Sequence, residues 1–169
     1  MSLTEQSPPP HDAPQLQLVD RLYSAFAQRD GDTMAACYEP DARFSDPVFA
    51  NLQGEQVGAM WRMLAARAKD FKLEVTERST TADGASVSWV AHYTFSQTGR
   101  PVVNRVRSEL RFGANGLIAE QRDEFDFHRW ARQALGAPGL LFGWLPPLRA
   151  SVQRKALAGL DEFMQAPTR

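Results

Sequence analysis

The stretch LYSAFAQRDGDTMAACYEPDARFSDPVF, residues 22–49, decides the fold of this chain. Apolar residues recur every four positions through its first part, and this spacing predicts a helix. The helix is expected to begin at Pro14 and to end at Asp30-Gly31, and its apolar positions include Leu18, Leu22 and Phe26. Asp32 then suits the N-cap of a short second helix over 33–39, which Pro40 stops.

The next part of the stretch raises a question about Asp46. This acid lies between Phe44 and Val48 and precedes Pro47. An ionised carboxylate among apolar side chains is costly unless it is paired or hydrogen-bonded. Two interpretations stay open: a turn residue that binds backbone amides, or a pocket acid whose raised pKa suits a general base.

The second half of the chain has the period of strands. After a helical pattern over 55–70, segments 71–79, 85–95, 101–112 and 117–127 alternate apolar and polar residues. Short turn signals separate them, which predicts antiparallel neighbours. Helices, a short extended segment over 42–46, a helix and then a run of strands indicate the α+β class.

Period 2 also divides each strand into two faces, and polar residues fall on apolar faces. Asn104 and Ser108 share a face with Val102 and Leu110, and Asp123 shares one with aromatic residues. This pattern favours a lined pocket. The alternative for Asp123 is a cross-strand salt bridge, for which the candidate partners are Arg105, Arg107 and Arg122.

Composition limits the possible classes of protein. The chain has 169 residues, 43% of them hydrophobic and 23% charged, with a formal net charge of -1, as expected for one soluble domain without a nucleic-acid surface. The single cysteine, Cys37, excludes an internal disulfide and suggests a buried thiol. Scattered histidines argue against a metal site. With no signal-peptide pattern, a cytoplasmic location is predicted.

The two ends of the chain differ from its middle. Residues 1–13 are polar and proline-rich, which predicts a disordered leader. Residues 128–169 form a basic extension with a helix ending at Gly136, an apolar connector, APGLLFGWLPP, and a final helix over 148–165. The extension has three possible roles: a lid, a dimer contact or a membrane-surface helix. Packing on its own domain or on a dimer partner is favoured, and membrane contact is not expected.

The order of elements, with the RDGD turn and YEPDARFSDP, resembles the nuclear transport factor 2-like superfamily over roughly residues 16–127. Its enzyme branches include ketosteroid isomerases and SnoaL-like polyketide cyclases. The resemblance implies a cone-shaped, curved antiparallel sheet wrapped around N-terminal helices over 14–127, an apolar pocket and a homodimer. A fold of this kind hosts several reactions, so it does not fix the chemistry.

The resemblance also implies roles for individual residues. Asp46 matches the proton-abstracting aspartate of the isomerases, and Asp123 matches the acid/base aspartate of the cyclases. Leu22 and Ser108 stand where the isomerases have a tyrosine and a protonated acid, and Glu109 is the nearest counterpart of the cyclases' histidine.

We therefore expect a small-molecule pocket protein of the SnoaL-like type, which acts without cofactor or metal by proton transfer on an apolar carbonyl compound. Asp46 and Asp123 are the predicted catalytic residues. The predicted donors to an enolate are Tyr23, Tyr38, Asn104 and Ser108. The full predicted pocket comprises Leu22, Tyr23, Phe26, Tyr38, Phe44, Trp61, Trp89, Tyr93, Asn104, Ser108, Leu110 and Phe125. The alternatives are a non-catalytic module that binds a lipid-like or aromatic ligand, and a dimeric interaction domain.

Overall fold

The computed structural model describes residues 13–166, so the predicted leader lies outside the described residues except for Ala13, which begins the first helix. The first half contains α1 (Ala13–Ala27), α2 (Gly31–Ala35), β1 (Tyr38–Ser45), β2 (Leu52–Gln53) and α3 (Glu55–Arg67). The second half contains β3 (Lys69–Thr80), β4 (Gly84–Phe95), β5 (Arg100–Phe112), β6 (Ile118–Glu124), α4 (Phe127–Leu135), α5 (Ala137–Phe142) and α6 (Pro146–Gln165).

The strands form one sheet in the order β2-β1-β6-β5-β4-β3. β3 to β6 make the predicted antiparallel meander, which confirms the α+β class. One pair departs from the antiparallel sheet that the resemblance implied, because β1 runs parallel to β6. A parallel neighbour needs a long connection, and here α3 and the four strands β2 to β5 supply it. Register shifts in β3 mark a bulge between Val75 and Glu77, a feature that bends a strand.

The start of the chain differs from the predicted boundaries. Asp30, not Asp32, is the N-cap of α2: its carboxylate accepts from the Thr33 amide at 3.0 Å and from the Thr33 hydroxyl at 2.6 Å. Asp32 instead pairs with Arg62 at 2.6 Å. The second helix also ends at Ala35, earlier than predicted. The following residues join β1 because pairing with β6 satisfies their backbone groups.

The C-terminal extension contains three helices. The segment predicted as a connector forms α5, with a proline in its first turn, where a missing amide costs nothing. Gly139 and Gly143 face α4 so closely that an added Cβ would lie 1.9 Å from Ala131 O and 2.7 Å from His128 Cδ2, respectively. α5 therefore turns its large side chains outward: Leu140, Leu141 and Phe142 are exposed, as is Trp144 just after the helix.

The last helix, α6, packs across α3. Apolar residues recur every four positions along α6. Leu160 is fully buried, Leu148, Val152 and Ala156 are partly buried, and Met164 is exposed. Gln153 donates to the Pro47 carbonyl at 3.1 Å, which ties α6 to the loop that follows Asp46. None of the helices within residues 13–166 is long and apolar enough to cross a membrane.

Candidate active-site cavity

A cavity of about 470 Å³ lies between the inner face of the sheet, α3 and the C-terminal helices. The predicted pocket residues that line it are Phe26, Phe44, Asp46, Trp61, Trp89, Tyr93, Asn104, Asp123 and Phe125. Most of the surface is apolar, so the two aspartates stand out as its acidic groups. Both are brought to one cavity, as the resemblance implied.

The other predicted pocket residues lie behind the cavity wall. Leu22 and Leu110 are fully buried in the core, in contact with other apolar side chains. Tyr23, Tyr38 and Ser108 are also buried and do not line the cavity. Their predicted role as donors to a bound molecule therefore loses its geometric support.

Asp123 is the centre of a buried hydrogen-bond network. Its Oδ1 accepts from Ser108 Oγ at 2.6 Å and from Gln121 Nε2 at 2.8 Å. Behind these donors, Trp89 Nε1 donates to Ser108 Oγ at 2.8 Å, and the Tyr38 hydroxyl donates to Gln121 Oε1 at 2.5 Å. Direct cross-strand pairing of Ser108 with Asp123 sets this geometry.

Asp123 makes no salt bridge with any residue within 13–166, so the alternative interpretation of this acid is wrong. Arg107 pairs with Glu109 at 2.8 Å, and Arg122 pairs with Glu124 at 3.1 Å, both outside the cavity. Burial raises the pKa of Asp123 to about 7, against the opposing effect of the Ser108 and Gln121 hydrogen bonds. Asp46 raises this pKa further. The neutral acid is therefore well populated near neutral pH.

Asp46 fits both interpretations that the sequence left open. Its Oδ1 accepts from the amides of Val48 and Phe49, each at 2.6 Å, as in a turn. The same side chain lines the cavity, and burial raises its pKa to about 6 despite those amide bonds and the nearby Arg149. No hydrogen bond joins its Oδ2 to a residue within 13–166, which leaves that oxygen available to a bound molecule.

The extension supplies a large part of the wall, and sequence reasoning missed this contribution. The wall residues from α4 to α6 are Trp130, Leu135, Pro138, Leu148, Ser151, Val152, Lys155, Ala156 and Gly159. Trp130 also donates its indole proton to the Tyr93 hydroxyl at 2.9 Å. The apolar connector over 137–147 was the signal that pointed to a covered surface.

Three further sequence predictions concern reactive groups. Glu109 lies away from the cavity and accepts from Ser86 at 2.9 Å, so it does not replace a histidine beside Asp123. Cys37 is a buried thiol, as predicted, and donates to the Thr33 carbonyl at 3.3 Å. Within residues 13–166, no group of three or more His, Cys, Asp or Glu side chains is arranged to hold a metal ion.

Comparison with family models identifies the chain. A model of the SnoaL-like domain matches residues 19–121, more than half of the sequence. The chain belongs to the SnoaL-like domain family. This SnoaL-like match ends before Asp123 and the C-terminal helices, so the family model does not account for that end of the cavity. No curated protein matches the sequence.

Solved structures share the fold of this SnoaL-like protein at low identity. A ketosteroid isomerase-like protein from Catenulispora acidiphila, solved with trimethylamine, has 17% identity and a TM-score of 0.63, covering 77% of this chain and 98% of its own. An epoxide hydrolase from M. tuberculosis has 18% identity and a TM-score of 0.63, covering 78% and 96%. An NTF2-like protein from Burkholderia pseudomallei has 23% identity and a TM-score of 0.63, covering 71% and 96%. These likenesses concern the fold alone.

Proposed function

We propose that the cavity binds a small apolar carbonyl compound and moves a proton on it by general acid–base catalysis without a cofactor. The observation that carries the proposal is the presence of two carboxyl groups with raised pKa values in one apolar cavity. Groups perturbed in this way cluster at catalytic sites. Neither acid is paired with an arginine or lysine at salt-bridge distance among the described residues.

The two pKa values suggest separate roles. At pH values near 7, Asp46 is mostly ionised because its pKa is about 6, and it is the better base. Asp123, with a pKa of about 7, is about half protonated. Because Oδ1 of Asp123 already accepts two hydrogen bonds, its proton belongs on Oδ2.

The proposed reaction starts with Asp46 Oδ2 taking a proton from the carbon next to the carbonyl. The electron pair of that C–H bond moves to the carbonyl oxygen and forms an enolate. Protonated Asp123 then gives its proton to the substrate at another position. After product release, the proton on Asp46 returns to Asp123 through water, which restores both acids for the next turnover. The net result is an isomerisation, or a ring closure where the enolate carbon attacks a second carbonyl.

Turnover of nitrobenzisoxazole tests this proposal without knowledge of the natural substrate. Removal of one C–H proton by a carboxylate opens its ring and releases a coloured phenolate. The protein should accelerate the reaction above free acetate, with a rate that rises with pH through a midpoint near the Asp46 pKa of about 6. Asp46→Asn should abolish the acceleration, and Glu124→Gln, a control on an exposed carboxylate, should not.

A non-catalytic binding module is the second candidate, favoured by the two amide bonds that occupy Asp46 Oδ1. The same assay separates the two: turnover no faster than acetate, or equal turnover by Asp46→Asn, removes the acid–base proposal. Binding of an apolar ligand would then remain as the proposed function.

The homodimer and the cytoplasmic location also stay proposals. Light scattering after size-exclusion chromatography tests the homodimer.

A further inference from the structure

The direction of each hydroxyl proton near the cavity decides which groups can donate to a bound oxygen. Tyr38 already donates to Gln121, and Ser108 already donates to Asp123. The Tyr23 hydroxyl is buried, lacks a hydrogen-bond partner and does not line the cavity. A hydroxyl group has one proton, so Tyr38 and Ser108 have none left for a ligand.

Tyr93 is the tyrosine that lines the cavity itself. It lies on β4 and accepts the indole proton of Trp130 at 2.9 Å. A hydroxyl that accepts a hydrogen bond keeps its own proton to donate elsewhere. No residue within 13–166 receives the proton of Tyr93. Burial raises the pKa of Tyr93 to about 12, so the group is a neutral donor at neutral pH.

Trp130 is held firmly enough to orient Tyr93. Its side chain is buried and packs edge-on against Phe95, with ring centroids 5.5 Å apart. On the same helix, Gln133 accepts from the Val103 amide at 2.9 Å and donates to the Val103 carbonyl at 3.1 Å, which fixes α4 on β5. The orientation of the Tyr93 hydroxyl therefore depends on the C-terminal extension.

Tyr93 and the proposed base lie close enough to interact. The charge of Asp46 contributes to the raised pKa of Tyr93, and both residues line the same cavity. A carbonyl compound bound in this cavity could contact both Asp46 and Tyr93, since both side chains line it. Preorganised donors aimed at a developing oxyanion stabilise it strongly in a site that excludes water.

We propose that Tyr93 donates a hydrogen bond to the carbonyl oxygen of the substrate, and that Trp130 is the positioning residue that directs this bond. The inference rests on the proposed function and adds the group that polarises the carbonyl of the substrate. Asp46 takes the C–H proton, the electron pair moves to the carbonyl oxygen, and Tyr93 stabilises the resulting enolate while keeping its own proton. The helix α4, beyond the segment that matches the family, thus completes the site.

Infrared spectroscopy of bound acetophenone tests the hydrogen bond directly. A donor at the carbonyl oxygen lowers the C=O stretching frequency relative to an apolar solvent. We expect the isotope-edited spectrum to show a lowered frequency for the unmodified protein and nearly the apolar-solvent value for Tyr93→Phe. Trp130→Phe should give an intermediate frequency. Trp144→Phe, a control at an exposed tryptophan of the same extension, should match the unmodified protein.

Turnover of nitrobenzisoxazole gives the second readout. Tyr93→Phe should lower kcat by on the order of a hundredfold, as expected for the loss of one oxyanion donor, and should leave the midpoint of the pH profile in place. Thermal melting checks that each variant is folded. An unchanged carbonyl frequency in folded Tyr93→Phe, or no acetophenone bound at saturation, would overturn the inference.

The two proposals fail in different ways. If the acid–base proposal is wrong, nitrobenzisoxazole turnover does not depend on Asp46, whatever the carbonyl frequency shows. If only the Tyr93 inference is wrong, turnover depends on Asp46, while Tyr93→Phe changes neither kcat nor the frequency of bound acetophenone. A shift of the frequency by Trp144→Phe as large as that by Trp130→Phe would overturn the positioning role of Trp130.

Discussion

Replacement of Asp123 by asparagine should remove the part of the pH dependence of stability that comes from this buried acid. The side chain is 5% exposed and its pKa rises from 3.8 to about 7 on folding. Because the folded protein holds this proton more tightly than the unfolded chain, the contribution of Asp123 to stability is fully present below a pH of about 4 and is lost as the pH rises through about 7. A pKa difference of about three corresponds to about 4 kcal/mol.

Asparagine is a close mimic of the neutral acid. Its Oδ1 can accept from Ser108 and Gln121 as the carboxyl oxygen does, and its amide group takes the place of the protonated Oδ2. The variant should therefore keep the packing of the network and avoid the free-energy cost of an ionised buried carboxylate at high pH. At a pH of about 8 it should be more stable than the unmodified protein by up to about 4 kcal/mol.

Urea unfolding between pH values of about 4 and about 8, followed by tryptophan fluorescence, measures this effect. Subtraction of the two stability curves removes the contribution of Asp46, which both proteins contain. Glu124→Gln, in the same strand at an exposed position, is the matched control and should leave the pH dependence unchanged. If the free energy of unfolding of Asp123→Asn and of the unmodified protein changed with pH in parallel, the claim that Asp123 is a buried acid with a raised pKa would be refuted.

Two further predictions concern the supports of the cavity. Leu160→Ala should lower the free energy of unfolding by about 2–5 kcal/mol, because this fully buried side chain attaches α6 to the core. Leu157→Ala, at a position with 43% exposure on the same helix, should cost much less in the same urea titration. Asp30→Ala should lower the free energy of unfolding measurably through loss of the N-cap of α2, and Asp32→Ala should lower it less because its pair with Arg62 is exposed.

The sequence predicted the class of the fold and the residues that face inward because both follow from short-range spacing. Period 2 places Asn104, Ser108 and Asp123 on inner faces, and the structure agrees. The parallel pairing of β1 with β6 could not be predicted this way, since it joins segments far apart in the chain. The α5 helix was missed because the predicted connector over 137–147 has three prolines and two glycines, which are typical of a loop.

The sequence could predict which side chains lie at or near the candidate site. It could not predict the hydrogen bonds that these side chains make. Ser108 and Tyr38 lie near Asp123, yet their protons point to Asp123 and Gln121 and not into the cavity. Such directions depend on cross-strand register, which alternation does not reveal. Trp130 was assigned to the extension, and its contact with Tyr93 follows only from how α4 packs on the sheet.

The most direct test of the central claim is a carboxyl-carbon NMR titration of Asp46 and Asp123 in the unmodified protein, assigned with the two asparagine variants. The account predicts midpoints of about 6 for Asp46 and about 7 for Asp123, well above the ordinary aspartate pKa of 3.8. Midpoints near that of a solvated aspartate, about 4, for both residues would contradict the claim that burial in an apolar cavity raises the pKa of both acids.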